Sequence, residues 1–456
     1  MTRSWRSSRP DGGPLRRGHR RHADAAPAAA RAPSPAPARH VRLSGRGAFP
    51  RPGKPMGHRL RGRRRRGRAR AGGDAHAAPH RRPLSGARLV YAASETDADI
   101  LYPTGFFAPD PFLFVQAGRR RLMVMSDLER DRARRQARVR RVLSWSAVAK
   151  RIEAAKRRAT PAAVIREVLR DLGIRRVEVP RSFPVGLARE LEGRGIVVRA
   201  APDPFWPGRE RKRPHEVRAI VEALRAAEAG LEAGLAALRS CRIGRDGYLR
   251  RDGRRFAAED LRAAVNTAIL ALGGVPSHTI CAPGDQAVDP HEEGHGPIRG
   301  HEPVVMDIFP RSERTGYFGD LTRTVVRGRA SERLKEVYAL VEEGVRLGHR
   351  RIRPGADGPS IHREIHALFV SRGYRTGMKD GRMQGFFHGT GHGLGLQIHE
   401  APSISPRPST LRAGHVVTVE PGLYYLGLGG VRIEDVALVT SGGSRNLTRV
   451  PKQLEL

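Results

Sequence analysis

Between His291 and Glu434 the chain sets five acid or imidazole residues in strand-like or glycine-rich surroundings. They are Asp307, Asp320, His392, Glu420 and Glu434, within VVMDIFP, GYFGDLTRT, HGTGHGLGLQIHE, VVTVEPG and VRIEDVALVT. A carboxylate in the middle of an apolar, β-branched run is costly to bury unless a cation compensates it. Four such carboxylates and a histidine point to a metal site with more than one ion. Oxygen-rich sites with one imidazole suit Mn²⁺, Co²⁺ or Zn²⁺ better than copper or iron–sulfur chemistry. Two divalent ions about 3.5–4 Å apart can hold and ionise one water between them. Their four positive charges match the four carboxylates.

The rest of the composition narrows the setting. A chain of 456 residues can bury two or three cores. Its net charge of +38 suggests a nucleic-acid binder until its distribution is read. Residues 1–83 hold 23 Lys and Arg against 3 Asp and Glu, so over half the excess lies in less than a fifth of the chain. The low-complexity sequence of residues 1–86, with AAPAAARAPSPAPARH and RLRGRRRRGRARAGG, lacks the apolar periodicity that would offset ordering. It is expected to be a disordered tail or a start assigned too far upstream. Nucleic acid is expected as a partner only through this tail. Two cysteines, Cys241 and Cys281, form no disulfide framework. No apolar run approaches the roughly 18 residues of a membrane span, and the N-terminus has no secretory apolar core. The expected location is the cytoplasm, with no membrane partner.

Ordered sequence is expected from Ala87. ARLVYAA reads as a strand, and PFLFVQ and RRLMVMS as a hairpin around AGR. A charged helix should follow from about Leu128, and Thr160-Pro161 should cap another ending near Gly173. RRVEVP, Val185 to Leu191 and GIVVRA complete a small α/β domain, residues 87–205, in which no catalytic residue types gather. Residues 201–214, APDPFWPGRERKRP, form a Pro-rich charged connector. Val217, Ile220, Val221, Leu224, Leu231, Leu235 and Leu238 then mark one face of a long helix. FAAEDLRAAVNTAILAL, Ser331–Arg351 and Gly358–Arg372 should be helices, and the motif residues fall mainly on strands. Residues 206–456 are thus an α+β domain.

The order of these pieces carries a resemblance. MDIFP, GDLTRTVV, HGTGHGLGLQIHE, VEPGLYY and GVRIEDVALVT are similar to the catalytic motifs of the aminopeptidase P, prolidase and methionine aminopeptidase superfamily. The resemblance implies a pita-bread fold over residues 206–456, preceded by a creatinase-type α/β domain at 87–205, the mark of the proline-specific branch. It implies two divalent ions per chain, Mn²⁺ foremost with Co²⁺ or Zn²⁺ as alternatives. Asp307 would chelate one, Asp320 and Glu434 would bridge both, and His392 and Glu420 would complete the second ion's shell. Glu420 would also be the acid/base, and His399 would contact substrate at the scissile bond. His291 would orient the substrate carbonyl, with His295 as its rival. His388 would line the substrate pocket, and Arg432 would bind substrate or a ligand carboxylate. The implied reaction is hydrolysis of Xaa–Pro bonds at peptide N-termini, or of Xaa–Pro dipeptides, by a homodimer. One departure is the spacing of 13 from Asp307 to Asp320, which PRSERTGY lengthens by about two residues; a hairpin turn absorbs these without moving either end.

Overall fold

The computed structural model describes residues 87–456. The expectations for residues 1–86 lie outside the described residues.

The first body is a six-stranded sheet, built from β1 (Ala87–Ala92), β2 (Phe112–Ala117), β3 (Arg120–Met125), β4 (Arg141–Ser144), β5 (Arg176–Val179) and β6 (Val197–Ala200). The strands lie in the order β4-β3-β2-β1-β5-β6. The expected hairpin is present, with Leu113 opposite Val124. β4, β5 and β6 run parallel to their neighbours, which requires helical crossovers. Successive side chains on a strand face opposite ways, so Leu89 and Val90 enter different cores on the two faces. The expected cap at Thr160 is realised. Its hydroxyl accepts the Ala163 N–H at 3.2 Å and opens helix Pro161–Asp171. A seven-residue helix, Ala98–Thr104, was not foreseen, because Pro103 sits inside it and breaks the sequence signal.

The second body begins with a 27-residue helix, Pro214–Ser240, packed against helix Ala258–Ala271. Both lie on a three-stranded sheet formed by Ile280–Pro283, Pro303–Ile308 and Leu321–Val326. Helices Glu332–Arg351 and Gly358–Ser371 cover a second core with strands Val416–Val419 and Gly422–Tyr425. The five-stranded sheet of this half contains Gly391–Gly393, Val416–Val419 and Asp435–Val439. The end of the chain is stitched to the three-stranded sheet. The Val326 N–H donates to Leu454 O at 2.6 Å, and the Leu456 N–H donates to Val326 O at 2.9 Å. Arg323 is fully buried below and donates to the carbonyls of Pro451 and Val450.

This is the two-domain, pita-bread α+β architecture. The lengthened segment between Asp307 and Asp320 turns toward the first body, where Arg311 donates to the Glu95 carbonyl. The extra residues are therefore anchored away from the two acids. No helix among the described residues is long and apolar enough to cross a membrane.

Candidate metal centre

Asp307 sits near the end of its strand, between Ile280 and Thr322 on the two neighbouring strands. Asp320 stands one residue before the next strand. The Gly319 ahead of it lies so close to the backbone of Ala223 and Leu224 that a Cβ would collide with them. Only glycine lets helix and sheet approach closely enough to draw Asp320 inward. Glu434 follows strand Gly429–Arg432. Its N–H donates to Thr322 O at 3.0 Å, and its Oε2 accepts the Thr322 hydroxyl at 2.8 Å. On the opposite sheet, Thr418 links the other two groups. Its Oγ1 accepts the His392 N–H at 3.0 Å and donates to Glu420 Oε1 at 3.3 Å.

These five side chains converge. His392 Nε2 lies 3.3 Å from Glu420 Oε1 and 3.7 Å from Asp320 Oδ2. Ligand atoms of Asp320, His392 and Glu434 all lie within 4.8 Å of one another. His392 Nδ1 is 3.2 Å from Gly393 O, a contact that directs the Nε2 lone pair toward the acids. Asp307 Oδ1 and Glu434 Oε1 are buried with no hydrogen-bond partner. Buried carboxylate oxygens almost always have one, so both are open to a cation.

Electrostatics agree. Burial, then repulsion from Asp307 and Glu420, holds the Asp320 carboxyl well above the usual range. Burial and the charges of Asp320, Glu420 and Asp307 do the same to Glu434. Burial pushes Glu420 up to about 7, against the pull of Arg432. Burial lowers His392 and His399, favouring neutral imidazoles. Four acids facing one guanidinium is an imbalance that two divalent cations would remove. The donor set fits them.

The other expected residues divide. Arg432 is 3% exposed and turned inward. It donates to Asp307 Oδ2 at 2.7 Å, to the Tyr424 hydroxyl at 2.8 Å and to Pro290 O at 3.3 Å. Of its two expected roles, the structure shows the contact to a candidate ligand carboxylate, Asp307. His388 is engaged with the protein likewise. Its Nε2 meets the Tyr424 hydroxyl at 2.8 Å and its Nδ1 meets Gly389 O at 2.8 Å. Both nitrogens are engaged, and burial pushes its pKa down to about 3. His388 thus braces the wall of the site against Tyr424. His399 is exposed and packs its ring edge-to-face on His392, with centroids 4.4 Å apart. His291 and His295 separate clearly. A charge on His291 acts on both His388 and His399, whereas His295 pairs with Glu292 at 3.4 Å and acts on Glu259.

Tyr424, Thr322 and Thr418 were missed. In the sequence they are ordinary strand residues. Only the spacing of Tyr424 from Glu420, four residues on in VEPGLYY, marks it.

Comparison with known proteins matches this geometry. The model of metallopeptidase family M24 matches residues 218–441, the span that contains all five convergent residues. Residues 218–441 belong to metallopeptidase family M24. The chain is 43% identical over 140 residues to the uncharacterized peptidase YqhT of Bacillus subtilis, covering 30% of this chain and 37% of that protein. It is 29% identical over 289 residues to the Xaa-Pro dipeptidase of Pyrococcus horikoshii, covering 62% and 75%. The Xaa-Pro dipeptidase of Pyrococcus furiosus is 35% identical over 178 residues, covering 39% and 48%. The match thus spans less than half the length of the B. subtilis and P. furiosus relatives. In three dimensions the chain is similar to the X-Pro aminopeptidase of Thermotoga maritima, with TM-score 0.68 and 22% identity over 81% of this chain and 97% of that one. It is also similar to the P. horikoshii prolidase, with TM-score 0.65 and 25% identity over 81% and 95%.

Proposed function

We propose that the protein is a two-metal exopeptidase that hydrolyses Xaa–Pro bonds at peptide N-termini. Asp307, Asp320, His392, Glu420 and Glu434 would hold two divalent ions, Mn²⁺ foremost. The observation that carries this reading is the pair of orphaned oxygens, Asp307 Oδ1 and Glu434 Oε1, beside three ligand atoms within 4.8 Å. The relatives named as Xaa-Pro dipeptidases and the solved X-Pro aminopeptidase support the choice of bond.

When bound, the two ions supply a water ionised near neutral pH and polarise the carbonyl. The protein's own groups manage protons and charge. Glu420 would take a proton and deliver it to the leaving proline nitrogen. His399 and His291 would serve as donors to the developing oxyanion. Arg432 keeps Asp307 in place. The working unit is a homodimer, which sedimentation would check.

The test is turnover of an Xaa–Pro dipeptide against an Xaa–Pro–Yaa tripeptide, with Mn²⁺, Co²⁺ and Zn²⁺ compared. Tripeptide cleavage supports the aminopeptidase. Cleavage of the dipeptide alone selects the second reading, a prolidase, which the names of the two Pyrococcus relatives favour. Cleavage of neither overturns both.

A further inference from the structure

His399 poses a positioning problem. It is exposed, and none of the hydrogen bonds among the described residues uses its ring. Its ring rests on His392, so its direction depends on the backbone that carries it. The flanking side chains, Gln397 and Glu400, are held from outside the catalytic motifs.

Arg209 makes this hold. It is 6% exposed, and its Nη2 donates to Gln397 Oε1 at 2.9 Å and to Glu400 Oε2 at 2.8 Å. Its Nη1 donates to Asp99 Oδ1 at 2.8 Å, on the short helix Ala98–Thr104 of the first body. Lys212 donates to the other carboxylate oxygen, Glu400 Oε1, at 2.6 Å. Two cations and two acids thus form a neutral, mostly buried quartet, the arrangement in which buried charge is tolerated. The Glu400 carboxylate also fills the space beside Gly395, where a Cβ would collide with it. That contact gives the last glycine of HGTGHGLG a reason: it makes room for the carboxylate. At its other end Glu400 opens strand Glu400–Ile404 and pairs with Gly393, next to His392. A cleft of about 510 Å³ lined by Asp99, Asp203, Arg209, Gln397 and Glu400 runs along this junction.

We propose that Arg209, with Glu400 and Asp99, is a positioning device that aims His399 at the substrate, so that the first body takes part in catalysis through the connector. The inference rests on the peptidase reading for its kinetic consequence but not for its geometry. A planar fork reaches Gln397, Glu400 and Asp99 together; an ammonium at the same place is a single point charge and cannot.

The experiment compares Arg209→Lys, Asp99→Asn and the control Arg181→Gln, which lines the same cleft, in the full-length, metal-loaded protein. Arg209→Lys should lower kcat about tenfold or more at nearly unchanged KM and metal content, and Asp99→Asn severalfold; Arg181→Gln should change nothing. In a His399→Ala background, Arg209→Lys should cost nothing further, because the residue it aims is gone. The His399 ring resonance, identified by its loss in His399→Ala, should shift in Arg209→Lys and stay in place in Arg181→Gln. That readout does not require a known substrate. A shifted resonance in a protein that cleaves no Xaa–Pro peptide overturns the function and keeps the latch. Unchanged kcat, a multiplicative loss in the His399→Ala background, or an unmoved resonance overturns the latch. Should Arg209→Lys fail to fold, Asp99→Asn carries the same three readouts.

Discussion

Glu434 and Asp435 are neighbours in sequence, 2% and 1% exposed, yet they stand in opposite electrostatic worlds. Asp435 is surrounded by partners: Arg323 at 2.9 Å, Lys452 at 2.7 Å, the Asn446 amide at 2.9 Å and His349 at 3.5 Å. Despite burial, hydrogen bonding and these cations hold its carboxyl far below the usual range. Glu434 faces the other way, meets one threonine hydroxyl, leaves one oxygen orphaned, and has its pKa driven upward by burial and three other acids. Alternation along the chain turns adjacent acids to opposite sides. One side completes its own charge balance with protein groups, and the other leaves it open. A buried acid with all its partners is architecture; one without them is a place for a ligand.

Four measurements would break or sharpen that contrast. The largest effect is expected on the open side. Asp320→Ala should lower turnover by about three orders of magnitude or more, the scale of losing a metal-assembled centre. Metal analysis should find fewer than two ions per chain, and two retained ions would refute the assignment. On the closed side, Asp435→Asn leaves Arg323 and Lys452 without their counter-charge. It should cost about 3–5 kcal/mol of unfolding free energy with or without metal; a loss that appears only in the metal-loaded protein would erase the distinction between the two acids.

The pH response should also differ in sign. The raised carboxyls of Asp320 and Glu434 keep protons that the unfolded chain has released, so the metal-free protein should lose stability as pH climbs from about 4 toward neutrality. Saturating Mn²⁺ should remove that slope. Asp435 contributes stability above about 4 and loses it as pH falls further, with no dependence on metal. Denaturant titrations at several pH values, with and without Mn²⁺, read both windows. The smallest effect belongs to Thr322→Val, which removes the hydroxyl bonded to Glu434. It should cost about 1 kcal/mol, with metal affinity falling alongside. Unchanged metal affinity in that variant would mean that the hydroxyl has no part in orienting Glu434.

Much of this was legible from the sequence because the signals are local. Asp307, Asp320, Glu420 and Glu434 stand out as acids in runs that otherwise demand burial, and Thr160-Pro161 announces its helix within two residues. What stayed hidden depends on partners far along the chain. Arg209 and Lys212 read as part of a solvated charged connector, yet they are buried on Glu400, about 190 residues away. Tyr424 reads as packing, although it links Arg432 to His388. The inward turn of Arg432 follows from the strand pairing of Gly422 with Arg432, which no local pattern reveals. The helix Ala98–Thr104 escaped because its proline outweighs its cap in a one-dimensional reading, although Asp97 accepts two backbone N–H groups there.

The stitching of the chain's end onto strand Leu321–Val326 has a consequence for the order of events during synthesis. Thr322 holds Glu434, while Arg323, next to it, relies on the carbonyls of Val450 and Pro451. The strand that places Asp320 and Glu434 together is therefore not fully bonded until residues 450–456, about 130 positions further along, have been made. A chain still being made would carry the acids without the frame that gathers them. The gathering of Asp320 and Glu434 would then be a late event of folding, completed by residues that follow every one of the five convergent side chains.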